Sequence, residues 1–194
     1  MPELSLDQAR EALAVMLAVA YLVLAIRQNI WCWAAAAAST LLYLFIMYHS
    51  KLYMQSLLQL YYLGMAAYGW YSWRRPRAGG GELPVSTWPL RYHALAVALV
   101  LLLVFVSAGL LQRFSDGALP YLDAFTAWAA VVTTFMVARK ILENWIYWFV
   151  IDSVSIGLYL DRELYFTAAL FAAYLVLVVI GYRSWRASMS RQTA

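Results

Sequence analysis

The sequence predicts an all-α integral membrane protein of seven transmembrane helices in a 3+1+3 arrangement, two parallel three-helix repeats joined by a linking helix. Three observations carry this prediction: an apolar composition, seven apolar runs of spanning length, and a match of the chain to itself at a fixed offset. Of its 194 residues, 65% are hydrophobic and 12% charged, with a mean hydropathy of +0.68. An average soluble domain carries roughly 25% charged residues, and a soluble core of this size cannot hide so much apolar surface.

A hydrocarbon core of about 30 Å takes about 20 mostly apolar residues per helix. The apolar runs fall at about 8–26, 30–48, 52–73, 92–111, 121–138, 141–160 and 164–182. They consume nearly the whole chain and leave no room for a separate nucleotide-binding or catalytic domain. The predicted organisation is a first repeat over 1–73, a cytoplasmic linker over 74–91, a linking fourth helix with its outer loop over 92–120, a second repeat over 121–185, and a cytoplasmic tail over 186–194. The linker reads from Arg74-Arg75-Pro76-Arg77 into Gly79-Gly80-Gly81, which combines charge with chain breakers.

With seven spans the loops alternate sides. One side then holds Arg27, Arg74, Arg75, Arg77, Arg91, Arg139, Lys140, Arg183, Arg186 and Arg191, ten of the fourteen basic residues. Positive charge marks the cytoplasmic side, so the N-terminus is expected outside and the C-terminus inside. The formal net charge of +4 therefore reads as topology and as contact with anionic lipid headgroups, not as a nucleic-acid surface, because no basic stripe interleaves with aromatic residues. Glu3, Asp7 and Glu11 precede the first apolar run, unlike the basic start of a cleaved leader, so that run is expected to be retained.

The self-match lies at an offset of 112 residues: Arg27 with Arg139, Trp33 with Trp145, Tyr62 with Tyr174, Gly69 with Gly181, Trp73 with Trp185 and Arg74 with Arg186, without a gap. Chance identities are common in apolar helices, but Gly, Trp and Arg in register are not. An odd number of helices would invert the second repeat; the intervening fourth span restores it, which relates the repeats by an axis along the membrane normal and places the expected site near the midplane between them.

The residues able to carry chemistry concentrate in the sixth span. Trp145, Trp148, Asp152, Ser155 and Tyr159 follow at spacings of three and four and so share one helical face. Asp152 falls near the middle of the span, where a lone carboxylate costs about 2.5–3.5 kcal/mol, so it requires a partner or a wet cavity. Two indoles and a phenol beside a carboxylate form a cation site, each ring face attracting a desolvated cation by about 2 kcal/mol. A structural alternative assigns the tryptophans to an interfacial belt and Asp152 to an interhelical hydrogen bond. In the third span Gln55, Gln59 and Tyr62 follow one face, and Gln59 can read a ring substituent or a sugar hydroxyl. Asn144 opens the sixth span, where it can cap the helix or meet headgroups or solute.

Other chemistries find no support. Cys32 is the single cysteine, and His49 and His93 lack a second histidine or a carboxylate at ligand spacing, so neither a metal nor another cofactor is expected. Asp152 and Glu143 stand more than two turns apart, without the geometry of an acid and base pair, so no enzyme is expected.

The run Arg139-Lys140-Ile141-Leu142-Glu143-Asn144-Trp145-Ile146-Tyr147-Trp148, the tail Gly181-Tyr182-Arg183-Ser184-Trp185, and Leu57-Leu58-Gln59 followed by Tyr68-Gly69-Trp70-Tyr71-Ser72-Trp73 resemble the PnuC family of vitamin transporters. The resemblance implies a fold related to the SWEET carriers, an inner-membrane location, a homotrimer, and facilitated diffusion with the solute trapped by a cytoplasmic kinase. It implies Trp145, Trp148, Asp152 and Gln59 as substrate positions. It also implies a cationic vitamin precursor as substrate, nicotinamide riboside first on family frequency and thiamine next, with uncharged riboflavin giving Asp152 less to do. Asp152 and Ala67 stand where some nicotinamide riboside carriers have asparagine.

Overall fold

The computed structural model describes residues 6–49, 53–75, 82–111, 120–161, 163 and 165–192. The linker glycines Gly79 to Gly81, the outer loop over 112–119, Lys51 and Arg162 lie outside the described residues, as does the side chain of Gln55.

Among the described residues the chain forms seven α-helices and no strand: α1 (Leu6–Ile26), α2 (Trp31–His49), α3 (Tyr53–Arg74), α4 (Leu90–Leu111), α5 (Pro120–Ala138), α6 (Asn144–Asp161) and α7 (Tyr165–Gln192). Leu90–Gly109, Tyr121–Ala138 and Thr167–Gln192 are long and apolar enough to cross a membrane, and Leu13–Ile26 and Trp31–Ile46 are shorter apolar helices. The exceptions, α3 and α6, are the two that carry the predicted glutamines and the predicted aspartate. Polar side chains in the middle of a span lower its apolarity and need partners other than lipid.

The chain divides into two compact units, Met1–Pro84 and Val85–Ala194. In the first, α2 packs against both α1 and α3. Ser39 Oγ in α2 donates to the carbonyl of Ala14 in α1 at 2.9 Å, buried, which satisfies its hydroxyl away from water. In the second unit α6 packs against both α5 and α7, and α4 covers α5. Its core joins Val100, Val104 and Ala108 of α4 to Ala124 and Ala129 of α5 and Ile151 of α6. Three alanines among these six let the helices approach closely, which is how helices associate where lipid competes on equal terms with apolar side chains.

The 112-residue repeat extends to individual backbone hydrogen bonds. Helix α1 ends with Gln28 at a φ of 55°, and α5 ends with Lys140 at 51°. Asn29 N–H returns to Leu24 O at 2.9 Å and Gln28 N–H to Ala25 O at 2.9 Å; at the same offsets Ile141 N–H returns to Met136 O at 3.0 Å and Lys140 N–H to Val137 O at 2.9 Å. Both are Schellman closures, here with a non-glycine residue in the left-handed position. Each elbow then turns straight into the next helix.

The elbows differ in what holds them. Asn29 Oδ1 accepts the N–H of Trp31 at 2.9 Å, a side-chain cap for α2. Ile141 stands at the corresponding position and has no acceptor. There Ser86 lies alongside as an isolated parallel bridge, donating its N–H to Lys140 O at 3.0 Å and accepting the N–H of Leu142 at 2.8 Å. This strap holds Ile141 and Leu142 in an extended turn, so α6 starts at Asn144 and not at about 141. Helix α7 continues to Gln192 beyond the expected 182, because no proline or second glycine follows Gly181 and the residues after it favour helix. Residues 186–192 are therefore helical.

Candidate functional site

The face of α6 predicted from spacing is the face the helix buries. Trp145, Asp152 and Ser155 are buried and Trp148 and Tyr159 half-buried, while Ile146, Phe149, Val150, Ser153 and Gly157 between them are exposed.

Asp152 is 4% exposed. At 1.5 Å of rise per residue its Cα lies about 12 Å from the start of α6, close to the helix centre. Among the described residues no hydrogen bond or ion pair reaches its carboxylate. A buried carboxylate without a partner is a strong acceptor for any donor or cation that enters. Its counterpart at the repeat offset is Thr40, also buried and neutral, so the acid belongs to the second triplet alone.

The two indoles of the stripe go to different neighbours. Trp145, 2% exposed, meets Trp185 of α7 edge-on, ring centroids 5.3 Å apart and planes at 90°. Its Nε1 is buried without a hydrogen-bond partner. Trp33 repeats the arrangement against Trp73 at 5.5 Å and 85°, and its Nε1 is likewise unpartnered. Trp148 packs instead against the apolar core built from α4, α5 and α6, against which Phe125, Trp128 and Val132 also pack. Trp128 there donates its Nε1–H to Ser107 Oγ at 3.1 Å.

Tyr159 tilts against Phe171 at 5.1 Å, and Phe171 meets Tyr174 at 5.6 Å, an aromatic run joining α6 to α7. Asn144 is fully buried; its Nδ2 donates to Ile141 O at 2.6 Å and its Oδ1 has no partner. In the first unit Gln59 and Tyr62 are half-buried on α3, with Tyr62 edge-on to Tyr61 at 5.5 Å.

A polar cluster at the start of α6 escaped spacing arguments. Glu143 Oε2 accepts the N–H of Trp88 at 3.3 Å, and its Oε1 lies 4.0 Å from His93 Nε2. The Oη of Tyr147 lies 3.0 Å from His93 Nδ1, the two rings stacked at 5.8 Å. His93 thus does have a carboxylate beside it, supplied from a position some fifty residues away in the chain, which no local spacing reveals. Among the described residues no group of three or more potential metal ligands comes together.

Comparison with known proteins places this architecture. A family model described as nicotinamide mononucleotide transporter matches residues 8–187. The riboflavin/roseoflavin transporter RibM of Streptomyces davaonensis is 29% identical over 170 residues, covering 84% of this chain and 78% of RibM. The nicotinamide riboside transporter PnuC of Escherichia coli is 27% identical over 168 residues, covering 72% of this chain and 69% of PnuC. A crystal structure of the vitamin B3 transporter PnuC shares the fold, with a TM-score of 0.75 at 23% identity over 96% of this chain and 84% of that one. The chain belongs to the nicotinamide mononucleotide transporter family, the PnuC family, whose members are vitamin-type transporters and not enzymes.

Proposed function

We propose that the protein carries a cationic vitamin precursor into the cell, nicotinamide riboside first and thiamine as the alternative, by facilitated diffusion through alternating access. The single observation that carries this reading is Asp152, a buried carboxylate at the centre of α6 with no protein partner among the described residues. A cationic heteroaromatic ring supplies the missing positive charge and tolerates the apolar surroundings better than a hydrated ion does. Trp148 and Tyr159 offer ring faces on the same side of α6, and Ser155 a hydroxyl. Gln59 and Tyr62 on α3 are further candidates for polar recognition of the solute, as are Asn144 and Trp145 at the start of α6. The PnuC relatives favour the pyridinium substrate.

A net flux without an energy source requires a sink, and phosphorylation of the solute by a cytoplasmic kinase provides one. In this reading the protein sits in the bacterial inner membrane as a homotrimer, and the concentration of basic residues on one side supports an outer N-terminus and a cytoplasmic C-terminus. The likeness to RibM favours a second reading, riboflavin, in which Asp152 serves as a hydrogen-bond acceptor for an uncharged ring system.

Calorimetric titration of the detergent-solubilised protein with nicotinamide riboside, thiamine and riboflavin tests the assignment. Binding of either cation above riboflavin supports it; binding of riboflavin alone overturns it. In liposomes, accumulation against the substrate gradient under an imposed proton gradient would reject facilitated diffusion.

A further inference from the structure

An open groove of roughly 270 Å³ runs between the first two turns of α6 and residues 178–186 of α7. Ile146 and Phe149 form one wall, Val178 and Val179 the other, and Arg183 and Arg186 close one end. Ile146, Phe149 and Val179 are exposed despite their apolar character, as are both arginines. Among the described residues no carboxylate pairs with Arg183 or Arg186. From Val178 to Arg186 the groove follows α7 for about 12 Å, eight residues at 1.5 Å each, so an apolar trough leads directly to two unpaired cations.

The counterpart positions in the first triplet lack this pattern. Arg183 corresponds to Tyr71 and Tyr182 to Trp70, and Trp70 packs edge-on against Trp31 with centroids 5.5 Å apart. The pair of arginines three apart on one helix face is therefore a feature of α7 and not of the repeat.

We propose that this groove is a binding site for an anionic phospholipid, with an acyl chain along Phe149, Val178 and Val179 and the phosphate held by Arg183 and Arg186. The chemistry selects such an occupant on both counts: an apolar trough open to the hydrocarbon takes an aliphatic chain, and guanidinium groups bind phosphate oxygens in bidentate fashion. A soluble phosphate would use the arginines and leave the trough empty. A lipid with a zwitterionic headgroup would fill the trough and gain less from the arginines. The floor of the groove includes Trp145, so an occupant there bears on the packing of α6 against α7.

Native mass spectrometry of the purified, delipidated protein tests this, with phosphatidylglycerol, phosphatidylethanolamine or inorganic phosphate added back. The proposal expects retention of phosphatidylglycerol above phosphatidylethanolamine, without competition by millimolar phosphate. Removing both charges in R183A/R186A should weaken retention by about 25-fold, about fivefold for each basic residue. R183K/R186K should recover most of it, and R191A, outside the groove, should leave it unchanged. Circular dichroism on the same samples separates loss of the site from loss of the fold. Equal retention of both lipids, retention unaffected by R183A/R186A in a folded protein, or displacement by inorganic phosphate would each overturn the proposal.

Discussion

The ring of Trp145 lies so close over Gly181 that a β-carbon there would stand 2.5 Å from its Cη2 atom. Gly69 beneath Trp33 is the same contact one repeat earlier. Each glycine is a place where an indole lies directly on a neighbouring helix backbone, and the two fix how the second and third helices of each triplet approach. Adding a methyl group should force the ring aside at a cost of about 1–3 kcal/mol, in the range of core overpacking. Gly64 and Gly157 have nothing within 4 Å of the same position, and alanine there should be neutral or stabilising by up to about 1 kcal/mol through helix propensity. Thermal unfolding in detergent should therefore rank G69A and G181A below the native protein and G64A and G157A at or above it.

The Ser86 strap makes a prediction that separates backbone from side chain. Both of its hydrogen bonds to the second elbow use main-chain atoms, so Ser86→Ala should be silent. Ser86→Pro removes the N–H that reaches Lys140 O and should cost about 1 kcal/mol. Hydrogen exchange should then quicken at the Leu142 amide and stay unchanged at Asn29, whose elbow closes without the strap.

Trp148 carries a prediction about recognition. Trp148→Ala should weaken binding of a cationic substrate by about 30-fold, corresponding to about 2 kcal/mol for a desolvated cation on an indole face, while Trp148→Phe should retain most of the stability and part of the affinity. Because the ring also packs against the apolar core of the second unit, the titration needs the unfolding temperature of each variant beside it. Equal affinity in Trp148→Ala and native protein would remove Trp148 from the site.

The helices were legible because a span is written locally: a run of apolar residues needs no knowledge of its neighbours, and the ends came within a few residues except at the end of α7, which runs on to Gln192, and where a distant segment intervened. The start of α6 was one such exception, since the residue that holds Ile141 and Leu142 out of the helix is Ser86. His93 with Glu143 was another. The repeat was legible in Trp33 and Gly69 and their counterparts Trp145 and Gly181 because each of these rings lies on a glycine where a β-carbon would be crowded. The shared face of Trp145, Trp148 and Asp152 followed from helical periodicity, but their divergence did not. Trp145 goes to α7 because Gly181 leaves room there for its ring, and that glycine lies far from it in the chain.

The most direct test of the account is the affinity of Asp152→Asn for the cationic vitamins set against its affinity for riboflavin. Asparagine keeps the shape and removes the charge, so the fold should survive and the unfolding temperature should hold or rise. Nicotinamide riboside or thiamine should bind about 10-fold to 100-fold more weakly, the loss of one charged partner at about 1.5–3 kcal/mol, while riboflavin binding changes little. Undiminished affinity for the cation in a folded Asp152→Asn protein would contradict the central claim that this carboxylate is the charge the substrate completes.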